Sequence, residues 1–376
     1  MPGFEIIDKK EQKAVEEIFT KNNGILFAHG FDSLRKNFHV REFEKKINIR
    51  FKSKYSLAVS SGTAAIKIAL KALGVERGDE VITQAFNFIA TIEAILDVGA
   101  RPIICPIDDT LNLDPKKLSA LITKKTKVVI PVHMLGVPCD MRPIINICRK
   151  KKIKILEDNC EAVGSTYENK KCGLLGDVGI FSLDFGKIIT CGEGGVIVTN
   201  DKKIFDYSKA YHDHGHENNK NFSRGNDTRK IYGFNYRLTE LQGAIAKVQL
   251  LKLNHIIKNN KVRYNFLRKM LKNNFKIRRI PKNCSPIFDT FIFYEKDQRK
   301  KKEILEILKK NKIGTKNLPD AIKWHCSYYW DHALSKKEVM KSSSSKNLLK
   351  NYIAIPISLK VSLRKYNFLI KQLLNV

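Results

Sequence analysis

The stretch FSLDFGKIITCGEGGVIVTN, residues 181–200, changes character in its middle. An apolar run stops at Lys187, a glycine-rich turn follows, and a second apolar run begins at Gly194. Short apolar runs bounded by glycine turns read as strands buried on both faces. Toward the N-terminus the same signal recurs in YSLAVS (55–60), DEVITQ (79–84), RPIICPI (101–107), TKVVIPVH (126–133) and KIKILED (152–158). Helical patterns such as AAIKIALKALG (64–74) and ATIEAILDVG (90–99) lie between them. Strands alternating with helices predict a mainly parallel sheet with crossover helices, so residues 55–200 form the heart of an α/β domain. In the first of those helices Ile66, Ala69, Leu70 and Leu73 share one face, and Gly74 stands where it should end.

At 376 residues the chain exceeds one ordinary core. The expected division is an N-terminal segment 1–30, a large domain 31–254 and a smaller C-terminal α+β domain 255–376. A helix opens at Thr239 with a capping box in TELQ. Beyond residue 255 the chain becomes more basic, with helical stretches at 258–273 and 299–311 and strand candidates FDTFIFYE (288–295) and YIAIPI (352–357). The serine run 342–345 reads as a surface loop tip.

Lys+Arg 69 against Asp+Glu 38 gives a formal charge of +31, which by itself points to nucleic acid, an anionic surface or acidic metabolites. The clusters RKKKIK (149–154) and QRKKKE (298–303) are scattered, however, and none is interleaved with aromatic rings as a base-stacking platform would be. The charge therefore reads as a solvated surface, with no nucleic acid expected. The eight cysteines include no CxxC pair and several sit in apolar runs, so reduced buried thiols are expected and neither a metal site nor a disulfide framework. The first residues carry charges throughout, and no uncharged apolar run approaches about 20 residues. A cytoplasmic protein without a membrane span follows.

Three loops could carry chemistry. SSGTAA (60–65) joins a strand to a helix, where free amides and the helix dipole favour a phosphate, although the same residues also simply cap helices. Asp158 ends KIKILED and either faces a ligand at the carboxyl end of the sheet or caps the following helix. Lys187, if desolvated beside another cation, would have the lowered pKa that suits Schiff-base chemistry. Taken singly, an exposed loop lysine is the simpler account.

The combination is more specific. SGTA (61–64), AFNFIAT (85–91), EDNCEAVG (157–164), FSLDFGK (181–187), GEGGVIVTND (192–201) and GFNYRLTELQGAIA (233–246), in this order and at these spacings, resemble the DegT/StrS-type sugar aminotransferases. Those are pyridoxal-phosphate enzymes of fold type I. The resemblance runs from PGFEIIDKKE near the start to IAIPIS near the end and is strongest over 55–250. It implies a mainly parallel seven-stranded sheet flanked by helices, plus a smaller α+β domain. By position it assigns Lys187 as the lysine that carries the cofactor and Asp158 as the partner of the pyridine nitrogen. Phe88 would stack on the ring, Gly62, Thr63 and Ser182 would contact the phosphate with Ala64 beside them, and Asn235 would reach the phosphate of a neighbouring subunit. A homodimer with shared active sites is implied.

Two positions depart from the family pattern. Glu161 stands where the family commonly has Gln, next to the cofactor ring, and Asp184 stands where it often has His or Tyr. Some relatives carry histidine in place of the lysine and act as dehydrases, so the presence of Lys187 implies transamination. By resemblance the amino donor is glutamate, the acceptor is a keto or aldehyde sugar, and the order is ping-pong through pyridoxamine phosphate.

In YHDHGHEN (211–218) the family has an HG turn matched by His214 and Gly215, which makes His214 a substrate candidate, with an exposed loop as the plain alternative. Arg224, Arg229 and Arg237 suit a carboxylate or phosphate, and Arg237 lies inside a matched motif. KNLPDAIKWHCSYYWDH (316–332) offers Trp324 and His325 for a sugar pocket, with a packed domain contact as the alternative. This segment, with FAHGF (27–31), DFGK and HDHGHEN, resembles the branch that aminates the terminal carbon of 3-deoxy-octulosonate. Within the same chemistry the alternative acceptor is a nucleotide-linked 3- or 4-keto sugar. From another class, the alternative is a regulatory or nucleic-acid-binding protein on this scaffold.

Overall fold

The computed structural model describes residues 2–219 and 221–376. Its central sheet holds β1 (Tyr55–Val59), β2 (Glu80–Gln84), β3 (Arg101–Cys105), β4 (Thr126–Ile130), β5 (Lys154–Asp158), β6 (Val178–Ser182) and β7 (Gly195–Thr199). The spatial order is β1-β7-β6-β5-β4-β2-β3. Neighbours from β3 to β6 run parallel, whereas β7 is antiparallel to both β6 and β1. The reason lies in the connection: residues 183–194, which include Lys187, contain no helix and return the chain directly, and a direct return makes antiparallel neighbours.

The strands are buried on both faces, and their alternate residues feed two cores. Leu57, Val59, Ile180 and Ile197 pack with Ala65, Ile66, Ala69 and Leu70 of the Gly62–Ala72 helix. The residues between them, Ala58, Phe181, Val196 and Val198, pack with Phe43, Ile47 and Phe51 of the His39–Phe51 helix and with Leu250 and Leu253. Helices on both faces of a mostly parallel sheet make this an α/β fold. Gly74 lies at φ +74 just beyond the first of these helices, as its place in the sequence predicts.

A second core forms around the three-stranded antiparallel sheet Lys276–Ile277, Thr290–Tyr294 and Tyr352–Pro356. The helices Gln298–Lys310 and Leu363–Leu373 cover it. The stretch 258–273 is not a separate helix: a single helix runs from Glu240 to Leu271, opened by the expected capping box at Thr239. It contributes Leu250 and Leu253 to one core and Leu267 and Leu271 to the other. The serine run 342–345 is not a loop tip either. Ser342 caps and Ser343 begins the helix Ser343–Leu349; Ser342 and Ser345 are buried, Ser342 beside the Ser327 hydroxyl and Ser345 Oγ accepting from Ile107 N at 3.2 Å. Small hydroxyls allow that close approach, which composition alone does not reveal.

Two contacts shape the site. Cys326 bridges Phe86 as an isolated β-pair, and Trp330 packs with Ala85, Ile89, Ile92 and Ile104, so residues 325–330 fold back onto the loop after β2. At the other end of the chain, Gly3 N donates to Lys187 O at 3.2 Å. Among the described residues no helix is long and apolar enough to cross a membrane.

Candidate active site

The loops after β1, β2, β4, β5 and β6 enclose a cavity of about 470 Å³. Gly62, Thr63, Phe88, Asp158, Glu161, Ser182, Asp184, Lys187 and His325 all line it. Ligands in open α/β sheets gather at the carboxyl ends of strands, and the parallel pairing of β2, β4, β5 and β6 aims their following loops at one place.

At the floor, Ser61 caps the Gly62–Ala72 helix and its side chain accepts from Ala64 N at 3.0 Å. The Ala64 amide is thereby used inside the cap, and Ala64 is not among the lining residues. The amides of Gly62 and Thr63 keep no acceptor among the described residues. A helix N-terminus with free amides attracts an anion. Glycine is required here by space: a Cβ at Gly62 would stand 3.0 Å from Ser182 Cβ and 3.2 Å from its Oγ.

Asp158 is 4% exposed. Its oxygens accept from Thr91 Oγ1 at 3.3 Å and Cys160 N at 3.0 Å, and it joins no ion pair among the described residues. Burial pushes its carboxyl above the ordinary value. Lys187 stands otherwise. Its Nζ meets Glu161 Oε1 at 3.3 Å, and Glu161 Oε2 accepts from Leu135 N at 3.1 Å. Burial works against both charges, but at Glu161 it is outweighed by Lys187 together with Lys316, His325 and the Leu135 amide, which hold the carboxyl far below the usual carboxylate range. At the lysine, Glu161 together with Cys160, Asp184 and Asp158 outweighs burial and holds the ammonium above its ordinary value. The lowered lysine pKa expected from sequence is thus overturned, because the buried neighbour is a carboxylate rather than a second cation.

Phe88 is 44% exposed, its ring 5.4 Å from that of His325 and 6.5 Å from that of Trp324, the latter pair stacked at 27°. Trp324 is exposed at the edge and does not line the cavity; His325 does. His214, Asn235 and Arg237 lie outside the lining. His214 and Asn235 are exposed, and Asn235 Oδ1 accepts from Arg237 N at 3.5 Å. Arg237 and Arg224 are both committed to buried Asp213, at 2.6 Å for Arg237 and at 2.6 and 2.7 Å for Arg224. Sequence reasoning passed over Thr91, Cys160, Glu193, Lys316 and Asn317, which also line the cavity. Thr91 and Cys160 stand inside stretches already singled out, and Lys316 and Asn317 begin the KNLP run.

Buried His133, Glu157 and Cys172 also lie together. His133 Nδ1 accepts from Cys139 N at 3.0 Å and its Nε2 faces Glu157 at 3.2 Å, while Glu157 further accepts from the amides of Gly173, Leu175 and Gly176. With those atoms engaged, the group is a hydrogen-bond network beneath β5.

The cavity suits pyridoxal phosphate. It joins free helix amides for a phosphate, an aromatic face for a ring, a buried carboxylate without a cation for a pyridinium N–H, and a lysine amine.

The sequence pattern of the DegT/DnrJ/EryC1/StrS aminotransferase family matches residues 7–373. GDP-perosamine synthase of Caulobacter vibrioides is 42% identical over 210 residues, 56% of this chain and 55% of that protein. The chain spans little more than half the length of the curated relatives it matches. The X-ray structure of an aminotransferase from Psychrobacter cryohalolentis has the same fold, with a TM-score of 0.85 at 22% identity over 97% of this chain and 96% of that one. A GDP-4-keto-6-deoxymannose-3-dehydratase, solved with a trapped PLP-glutamate geminal diamine, reaches a TM-score of 0.81 at 25% identity over 98% of both chains. By sequence pattern along nearly its whole length, and by fold, the chain belongs to the DegT/DnrJ/EryC1/StrS aminotransferase family.

Proposed function

We propose that the protein is a pyridoxal-phosphate-dependent aminotransferase. It takes an amino group from an amino acid, L-glutamate, and delivers it to a keto or aldehyde sugar destined for a surface polysaccharide. The observation that carries this reading is the presence, in one cavity, of Lys187 and a buried Asp158 that joins no ion pair among the described residues.

The bound cofactor supplies an electron sink for the pair left when the donor's Cα–H bond breaks. The chain does the rest. Asp158 would hold positive charge at the cofactor's ring nitrogen, and its burial would make that charge–charge contact strong. Gly62 and Thr63 amides with the Ser182 hydroxyl hold the phosphate. Phe88 covers one ring face and keeps water from it. With the cofactor bound, Lys187 Nζ would take the donor's Cα proton and return it one atom away, and on the second substrate would move the proton the other way. Glu161 keeps the amine in reach and charged between these steps. A neutral Lys187 is needed for proton abstraction, so the Glu161 link must open at that moment.

The acceptor is proposed to be a sugar acid of the 3-deoxy-octulosonate type, supported by the likeness of FAHGF, DFGK, HDHGHEN and KNLPDAIKWHCSYYWDH to that branch. A nucleotide-linked keto sugar is the second reading, favoured by the GDP-sugar names of the relatives. Asn235, exposed beside the site, supports a dimer in which it reaches the neighbour's phosphate site. Purified protein with pyridoxal phosphate should show a visible absorption band that Lys187→Ala lacks. Protein loaded with pyridoxamine phosphate should regain the band when given the right keto or aldehyde sugar. No recovery with any sugar would sink the substrate class, and no band at all would sink the enzyme.

A further inference from the structure

Among the cavity-lining residues with no part in the cofactor chemistry above are Lys316 and Asn317. Both belong to the segment that leads from the helix Gln298–Lys310 to the Trp324 loop, and the segment is pinned in place. Lys316 N donates to Ala354 O at 2.8 Å, Ala354 N donates to Leu318 O at 3.1 Å, and Ala321 N donates to Asn317 O at 3.2 Å. These bonds join it to the Tyr352–Pro356 strand, so its side chains are held rather than floating over the cavity.

Lys316 Nζ donates to Asp289 Oδ2 at 2.6 Å, with side chains 10% and 4% exposed. An ammonium has three donors, and this bond uses one of them. Lys187 and Lys316 are the two cationic side chains among the described lining residues, against Asp158, Glu161, Asp184 and Glu193. Once Lys187 is committed to the cofactor, Lys316 is the permanent cation left for an anionic substrate. Its neighbour adds a directed donor. Asn317 Nδ2 is buried and has no hydrogen-bond partner among the described residues. It is therefore a donor on the cavity wall open to an acceptor that arrives from outside the chain. Asn317 also sits at φ +64, a left-handed conformation that asparagine tolerates and most side chains do not.

An ammonium and an amide N–H, offered by consecutive residues of one cavity wall, suit the two oxygens of a carboxylate. The next wall residue completes the polarity. His325 Nδ1 faces Ala321 O at 2.8 Å; the carbonyl can only accept, so the proton is on Nδ1 and Nε2 is left as an acceptor, fit for a hydroxyl and not for a second anion.

We propose that Lys316 Nζ and Asn317 Nδ2 form the anchor for a substrate carboxylate, next to the His325 acceptor. The proposal rests on the aminotransferase reading of the cavity. The carboxylate comes either from the amino donor or from a sugar-acid acceptor, and the two half-reactions separate these sources.

The first measurement is calorimetric titration of cofactor-loaded protein with glutarate, a dicarboxylate that has no amine and cannot react. Glutarate should bind the unaltered protein and bind Lys316→Met and Asn317→Ala about tenfold more weakly or worse, as when a hydrogen bond to a charged group is lost. Lys316→Arg should retain most of the binding, and neutral glutaramide should respond to none of the changes. Lys316→Met leaves Asp289 unpaired and risks the fold, whereas Asn317→Ala leaves that ion pair untouched. The second measurement compares half-reactions in Asn317→Ala. A raised KM for L-glutamate alone names the donor; a raised KM for glucuronate but not for glucose names a sugar-acid acceptor. Glutarate binding unchanged in Asn317→Ala, or absent from the unaltered protein that shows the cofactor band, overturns the anchor while leaving the enzyme reading intact. Absence of the band itself overturns the enzyme reading instead.

Discussion

Two clusters of buried charge lie near the sheet's working end, and they are built in opposite ways. Around Asp213 the charges are satisfied: Arg224 and Arg237 bind the carboxylate, His29 stands at 3.9 Å, and the Phe27 ring lies 5.1 Å from each guanidinium. Burial opposes the Asp213 charge, but Arg224, His29 and Arg237 hold it well below the usual carboxylate range. Around Asp158 the groups are left open among the described residues: a buried carboxylate joins no ion pair, two helix amides have no acceptor, and the Asn317 amide has none. The difference teaches how to tell a supporting cluster from a site. A structure that satisfies its buried charges uses them for shape, and one that leaves them open reserves them for a ligand. Arg224 and Arg237, candidates for substrate binding in the sequence, belong to the first kind.

The contrast breaks most visibly if the closed cluster is opened. In Arg224→Ala/Arg237→Ala the fully buried Asp213 carboxylate loses its direct partners, and stability should fall by about 3 kcal/mol or more in a denaturant titration. The visible cofactor band should survive wherever the variant is folded. A stable variant that has lost the band would place these arginines in the site after all.

Acid should attack the same region. Burial holds His212 down to about 4 and His29 down to about 3, and their rings lie 5.7 Å apart. Folded-state pKa values below the unfolded value mean that the unfolded chain binds more protons as the pH falls. Stability is therefore complete above about pH 6.5 and is lost toward pH 4, by roughly 3 kcal/mol for His212 alone. Denaturant midpoints at pH 7 and pH 4 measure this loss, and His212→Gln should flatten it. An equally steep loss in that variant would assign the acid sensitivity elsewhere.

The gentlest change sharpens the open cluster. Glu161→Gln removes the largest of the charges that keep the Lys187 ammonium above its ordinary value and leaves Cys160, Asp184 and Asp158 to oppose burial without it. The pH midpoint for forming the cofactor band should then move down, with each unit of movement worth about tenfold in free amine at neutral pH. A midpoint that stays or rises would show that Glu161 does not control the lysine.

Much of the architecture was legible because strands and helices announce themselves locally. Every strand of the central sheet falls inside an apolar run visible in the chain, from YSLAVS to GGVIVTN. The misreadings arose where tertiary contacts override local signals. The run of serines looks like a loop by composition, but its small hydroxyls sit at a tight helix contact. Residues 258–273 look like a second helix, but nothing breaks the backbone between them and Thr239. At the site, Lys187, Asp158 and Phe88 could be picked out because their motifs occur in a specific order. Lys316 and Asn317 could not, since a lysine and an asparagine in so basic a chain carry no signal until a cavity wall forms around them.

By itself the sequence determined the α/β class and the order of the loops, because alternating burial and glycine turns are written residue by residue. Only the tertiary structure decided which charges are spent and which remain free. Lys187 became a held ammonium, Arg237 a structural tie and Asn317 an unclaimed donor through neighbours brought together by the fold across many residues of chain. Electrostatic and hydrogen-bond energies depend on distance and burial, and neither is a property of sequence order.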